Sequence, residues 1–229
     1  MRIIPVTGIL IIVCMLAAAG CTGLKSSTTV VAPAVTIVPA DAAAEENTFR
    51  AIPQAPLNAS ETADILYLQE AEKLSHDLNV KLYSRHADMP VFLHIANVSQ
   101  VFVVADNVIL GRYNIPNPEN AVAGVFSNPA LQNMYTSGVN AGDSSVVAAL
   151  TSSANVEEMH IADLAGAIGR TDNADLIFMY RQEQATSRNN LRALSQWISA
   201  YGQTYTPKYI TPASFAAIVS APMESLPVQ

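Results

Sequence analysis

The sequence predicts an all-α domain, an antiparallel bundle of four main helices with short additional helices. Three observations carry this. No proline falls between Pro56 and Pro90, between Pro90 and Pro116, or between Pro129 and Pro207. Within those stretches apolar residues recur at the 3.6-residue period of a helix. No convincing strand pair is found, although Val101 to Val104 is rich in β-formers.

The first helix is expected from Ser60, a good N-cap, to about His86, with the stripe Tyr67, Ala71, Leu74, Leu78 and Leu82. The second runs from about Val91 to Leu110 through Phe92, Ile95, Val98, Phe102, Ala105 and Ile109, and stops at Gly111. After a turn at Pro116 and Pro118, Asn128-Pro129 opens a short helix through Leu131 and Tyr135 to Gly138. Asp143 caps the third main helix, in which Ser152-Ser153 is a candidate break. The fourth spans about Asp175 to Tyr201, with Gly202 as its stop. A short helix from Pro212 to Val219 ends the domain.

Four segments are expected: 1–20 a lipoprotein-type signal peptide, 21–59 a Pro/Ala/Thr-rich tether, 60–220 the helical domain and 221–229 a tail. Arg2 and the apolar run Ile3 to Ala19 have the pattern of a secretory signal. Ala18-Ala19-Gly20-Cys21 resembles a lipobox, which makes Cys21 the lipid-anchored first residue of the mature chain. The alternative is an uncleaved anchor, since roughly 18 apolar residues just span a bilayer. Either way the body lies outside the cytoplasm, with the membrane as its partner. Pro33, Pro39, Pro53 and Pro56 break any regular pattern in the tether. Asn58-Ala59-Ser60 and Asn97-Val98-Ser99 match the glycosylation sequon, the first being the better placed.

Composition removes several classes. With 50% hydrophobic and 14% charged residues, most of the chain can repay the entropy of ordering. A formal charge of -7 and the lack of a basic stripe argue against nucleic-acid binding. Cys14 and Cys21, the two cysteines, both precede the domain, so neither staples its core. No Gly-x-Ser-x-Gly, Walker A or Gly-x-Gly-x-x-Gly motif is present.

Bundles build metal sites from inward side chains. Glu157, His160, Ile161, Leu164 and Ile168 share one helical face, so Glu157 and His160 point inward, and a Glu-x-x-His pair suits one metal ion. On the first helix Glu70 flanks the apolar stripe, whereas Glu72, rotated by about 200°, is expected in water. On the fourth, Leu176, Tyr180, Glu183, Ser187, Asn190, Leu194 and Trp197 form one face, making Glu183 and Asn190 inward. The second helix offers only the neutral Ser99. His76, His86 and His94 are read as boundary or surface residues.

Five ordered motifs, Leu66-Tyr67-Leu68-Gln69-Glu70-Ala71-Glu72-Lys73-Leu74, Gly124 to Pro129, Glu157 to Leu164, Ser187-Arg188-Asn189-Asn190-Leu191-Arg192-Ala193 and Thr204 to Tyr209, resemble the ferritin-like family described as domain of unknown function 2202. The resemblance covers roughly Ser60 to Val219. It implies a ferritin-like four-helix bundle, and a dinuclear metal site by analogy with ferritins. Ser99 and Phe102 stand where the family has a Glu-x-x-His pair, and Asn190 where it has a histidine. The expected metal residues are therefore Glu70, Glu157, His160 and Glu183, with Ser99, Phe102 and Asn190 as lost positions.

The expectation from sequence is a membrane-anchored domain with a degenerate dimetal site and a non-catalytic binding or structural role. The alternative is a redox protein that binds iron or manganese through the reduced set and acts on oxygen or peroxide.

Overall fold

The computed structural model describes residues 49–226. The signal segment, Cys14, the lipid-anchor position Cys21 and most of the tether lie outside the described residues. Among these residues the structure is all-helical: α1 (Ala59–Arg85), α2 (Pro90–Arg112), α3 (Pro129–Gly142), α4 (Val146–Ile168), α5 (Ala174–Ala200) and α6 (Pro212–Ser220).

Local chemistry sets the ends. α1 starts earlier than Ser60: Asn58 accepts from the backbone N–H of Ser60 and Glu61, while Glu61 accepts from that of Asn58, a reciprocal cap. Asp143 does not cap α4; it ends α3, and Ser145 caps α4 by accepting from Ala148 N–H at 3.1 Å. Ser152-Ser153 does not break α4. Ser152 Oγ donates back to the carbonyl of Ala148 at 2.9 Å and Ser153 Oγ to Asn79 at 2.7 Å, and the helix continues through both. α3 passes Gly138 to reach Gly142, and α2 passes Gly111 to Arg112. Gly202, at φ +71°, closes α5: its N–H reaches the Ser199 carbonyl, and that of Gln203 reaches Ile198.

Two apolar clusters organise the helices. Ile65 and Leu68 of α1, Ile109 and Leu110 of α2, Leu164 of α4 and Leu176 and Tyr180 of α5 meet at one end. Leu74, Leu78 and Leu82 of α1, Phe92 and Ile95 of α2, Leu150 of α4 and Leu194 and Trp197 of α5 meet at the other. Hence α1 and α5 run from the first cluster to the second, and α2 and α4 run the opposite way. α1 packs on α2 and α4, and α5 on α4 and α2. α2 and α4 being parallel, the chain must cross the length of the bundle between them, and α3 lies in that connection.

The end of the stretch read as a tether is not free. Phe49 is buried in the first cluster beneath the Arg112 guanidinium, 4.9 Å from its ring centre, and Gln54 Nε2 donates to the Arg112 carbonyl at 3.0 Å. The described part of the tail is held as well. Glu224 receives Arg188 and Arg192 of α5, at 2.7 and 2.9 Å.

Candidate metal centre

Between the two apolar clusters, each of the four long helices carries polar residues instead of apolar ones. α1 contributes Glu72 and Ser75, α2 Ser99 and Asp106, α4 Glu157 and His160, and α5 Glu183, Ser187 and Asn190. All are buried; Glu157, His160 and Glu183 are each 1% exposed. Water cannot hydrate this layer, so its charges must be balanced from within.

The layer is connected. Ser99 Oγ donates to Ser75 Oγ at 2.9 Å, and Ser75 Oγ to Glu157 Oε1 at 2.6 Å. Asn190 Nδ2 donates to Glu157 Oε2 at 3.1 Å. His160 Nδ1 lies 3.0 Å from Glu72 Oε2 and 3.5 Å from Ser187 Oγ, while its Nε2 is 4.0 Å from Glu183 Oε2. Asp106 is buried in the same layer, within electrostatic reach of Glu72, Glu183 and His160.

Burial, then the charge of Glu72, pushes the Glu157 carboxyl up to about 7, against the hydrogen bonds from Ser75 and Asn190. The same two causes push Asp106 up to about 8. Burial pushes His160 down, but Glu72, Glu157 and Asp106 together outweigh it and hold the imidazole above its ordinary value.

The residues singled out from sequence are divided by the structure. Glu157, His160 and Glu183 come together. Glu70 does not join them: its carboxylate accepts the backbone N–H groups of Ser127 and, at 3.0 Å, Asn128, anchoring the start of α3. Of the lost positions, Ser99 and Asn190 hydrogen-bond within the layer, and Phe102 is wholly buried.

Glu72 departs from its expected place in water, and Asp106 joins the layer without having been singled out by the sequence pattern. Glu72 is not in water but 3% exposed. Its rotation from Glu70 was right, yet α1 is covered by α2, α3 and α4, so its second face is also interior. A stripe through Val98 and Ala105 misses Asp106, because the buried face of α2 lies one residue further on at both points. The buried series is Phe92, Ile95, Ser99, Phe102, Asp106 and Ile109, a strict alternation of three and four that was visible in the sequence.

Other conspicuous motifs anchor loops. Glu158, fully buried, accepts from the backbone N–H of Lys208, Tyr209 and Ile210 at 2.6 to 3.0 Å and from Tyr205 Oη at 2.5 Å. Asp77 accepts from Lys73 and from Gly124 N–H at 2.8 Å. Gly124 sits at φ +76°, and a Cβ there would lie 2.6 Å from the Tyr135 ring, so both backbone and space require glycine.

Residues 61–222 match the family model described as an uncharacterized protein domain, DUF2202. The chain belongs to the DUF2202 family. It is 37% identical over 174 residues to an uncharacterized protein of Methanocaldococcus jannaschii, covering 76% of this chain and 94% of the relative. The crystal structure of a hypothetical protein from Methanococcus jannaschii superposes with a TM-score of 0.73 at 36% identity, over 76% of this chain and 99% of that one. The DUF2202 match thus runs from the first turn of α1 to just past α6.

The dinuclear centre expected from the resemblance does not fit these residues, because Ser99, Phe102 and Asn190 supply neither carboxylate nor imidazole. Among the described residues no three His, Cys, Asp or Glu side chains are already spaced as metal ligands. Their present arrangement sets the Glu72 carboxylate 3.0 Å from the His160 imidazole. The donor set itself suits a cation: four carboxylates and one imidazole match iron or manganese. Asp106 Oδ2 and His160 Nε2 are buried with no hydrogen-bond partner.

Proposed function

We propose that the chain is a ferritin-like helical domain, tethered outside the cytoplasm through a lipidated Cys21, which binds a divalent transition-metal cation through Glu72, Glu157 and His160. The observation that carries this is the polar layer, four carboxyls and an imidazole shut between two apolar clusters. A structural role alone is better served by apolar packing, since buried charges repay their desolvation only with matched partners. The parallel course of α2 and α4, with one long crossover, supports the ferritin-like assignment.

Glu72 and His160 would hold the ion, with Glu157 one turn from His160 on α4. Ser75 and Asn190 orient Glu157 by bonding one oxygen each. Bound iron or manganese would supply one-electron chemistry toward oxygen or peroxide. The apolar clusters keep bulk water from the layer.

Elemental analysis of protein purified from cells without chelator tests this reading. Iron, manganese or zinc at one or more per chain is expected, and replacing both Glu157 and His160 by alanine should abolish it together with any peroxide consumption. Unchanged metal and peroxide consumption in that double variant would sink the proposal. The occupation of both Glu157 oxygens by Ser75 and Asn190 favours a second reading, a metal-free scaffold with a non-catalytic binding or structural role, and wild-type protein without metal would establish it. Labelled fatty acid incorporated by the wild type but not by Cys21→Ser checks the anchor.

A further inference from the structure

The loop that Glu158 anchors borders a cleft. The Glu158 carboxylate accepts from the backbone N–H groups of Lys208, Tyr209 and Ile210, which fixes the loop and leaves the Lys208 and Tyr209 side chains free for other contacts. Those two side chains line one side of a cleft of about 420 Å³, faced by Asn133, Met134 and Ser137 of α3 and Asn155 of α4. The recess exists because α3 meets it with short side chains at Ser137, Gly138 and Ala141. Its volume is that of a small-molecule site, roughly 300–1,000 Å³. It shares no residue with the polar layer.

The lining holds one cation and no acid. Among the described residues Lys208 makes no ion pair, and the side chains of Asn133, Ser137, Lys208 and Tyr209 make no hydrogen bond. Asn155 Oδ1 lies 3.0 Å from Tyr205 Oη, and its Nδ2 has no partner there. Glu158 is the nearby acid, and its oxygens are already occupied by loop amides and Tyr205. Burial, then the charge of Glu158, pushes the Tyr209 hydroxyl up, so it stays protonated and able to donate. On a chain of formal charge -7, the cleft thus offers an anion a cationic contact beside neutral donors.

We infer that the cleft binds a small hydroxylated carboxylic acid of monosaccharide size, a uronic acid, with Lys208 pairing the carboxylate and Asn133, Ser137, Asn155 and Tyr209 bonding the hydroxyls. The mixture of donors decides the class. A simple anion would use Lys208 and leave the amides idle, whereas a neutral sugar would use the amides and leave the ammonium unpaired. Met134 and the Tyr209 ring give the C–H face of a sugar ring an apolar wall. Glu158 acts as a positioning residue, since it touches the loop and not the ligand. The inference goes beyond the metal-binding reading and does not depend on it.

Titration of D-galacturonate into isotope-labelled full-length protein, followed by NMR, tests this. Shifts are expected at Asn133, Ser137, Asn155, Lys208 and Tyr209, with galactose and acetate each bound about tenfold more weakly. Lys208→Gln should weaken galacturonate about tenfold and leave galactose unchanged. Ser137→Trp, which fills the cleft from an exposed position on α3, should abolish binding. No shift at these residues, galactose bound as tightly as galacturonate, or unchanged affinity in Lys208→Gln overturns the proposal. Acetate matching galacturonate overturns it as well, since the cleft would then bind an ion alone. Should Ser137→Trp fail to fold by circular dichroism, Asn133→Ala takes its place, with binding about fivefold weaker expected and unchanged binding overturning the proposal.

Discussion

Buried carboxylates occur in two settings in this molecule, and the settings differ in their donors. Glu158 and Glu70 lie against loops whose backbone N–H groups converge on them, so burial is matched by hydrogen bonds that an ionised acid accepts well. Glu72, Asp106, Glu157 and Glu183 lie instead against one another, with one imidazole, a few hydroxyls and one amide among them. The first kind holds the fold together. The second is balanced only by the His160 imidazole, retained protons or cations, and that imbalance is what the proposed metal site rests on.

The contrast is broken most forcefully at Glu158. Glu158→Ala strands three loop amides and the Tyr205 hydroxyl, and should cost about 3–5 kcal/mol, read as a fall in Tm of roughly 10 °C. A fall under 2 °C would mean that the loop is held by other means. Next in size, Mn2+ at a hundredfold excess over its dissociation constant should stabilise the wild type by about 2.7 kcal/mol in thermal unfolding. Glu158→Ala should retain that increment, since its carboxylate lies outside the layer, and its disappearance would merge the two settings.

The pH dependence of metal-free protein sharpens the comparison further. Glu157 and Asp106 are raised to about 7 and about 8, so the folded chain keeps protons that the unfolded chain, with ordinary carboxyls near 4.5 and 3.8, has already released. Stability is therefore greatest at the acid end of that window and falls as pH rises from about 5 to 8, by up to roughly 1.4 kcal/mol per unit for each group. His160, also raised, adds loss in the same direction above its ordinary 6.5. Unfolding in chelator at a series of pH values checks this, and a Tm that climbs through the window would contradict it. The smallest effect distinguishes the settings by sign. Glu157→Gln or Asp106→Asn, without metal, should be neutral or stabilising by about 1 kcal/mol, because each removes a poorly balanced charge.

Much of the site was legible. Period and spacing put Glu157, His160 and Glu183 on inward faces, where they are found, because α4 and α5 each have a well-defined apolar stripe. The same reasoning failed for Glu72, since a single-stripe picture presumes that the opposite face meets water. It failed for Asp106 because Val98 and Ala105 drew the stripe to one side. Glu70 was favoured for its place beside the stripe, and nothing local reveals that a loop more than fifty residues away supplies its donors.

The sequence by itself determined the helices, through proline placement, caps and the 3.6-residue period, all of which act between near neighbours in the chain. Tertiary structure alone decided which buried acids meet amides and which meet each other. That choice depends on which helix covers which face and where each loop returns, and these are set by packing between segments far apart in sequence.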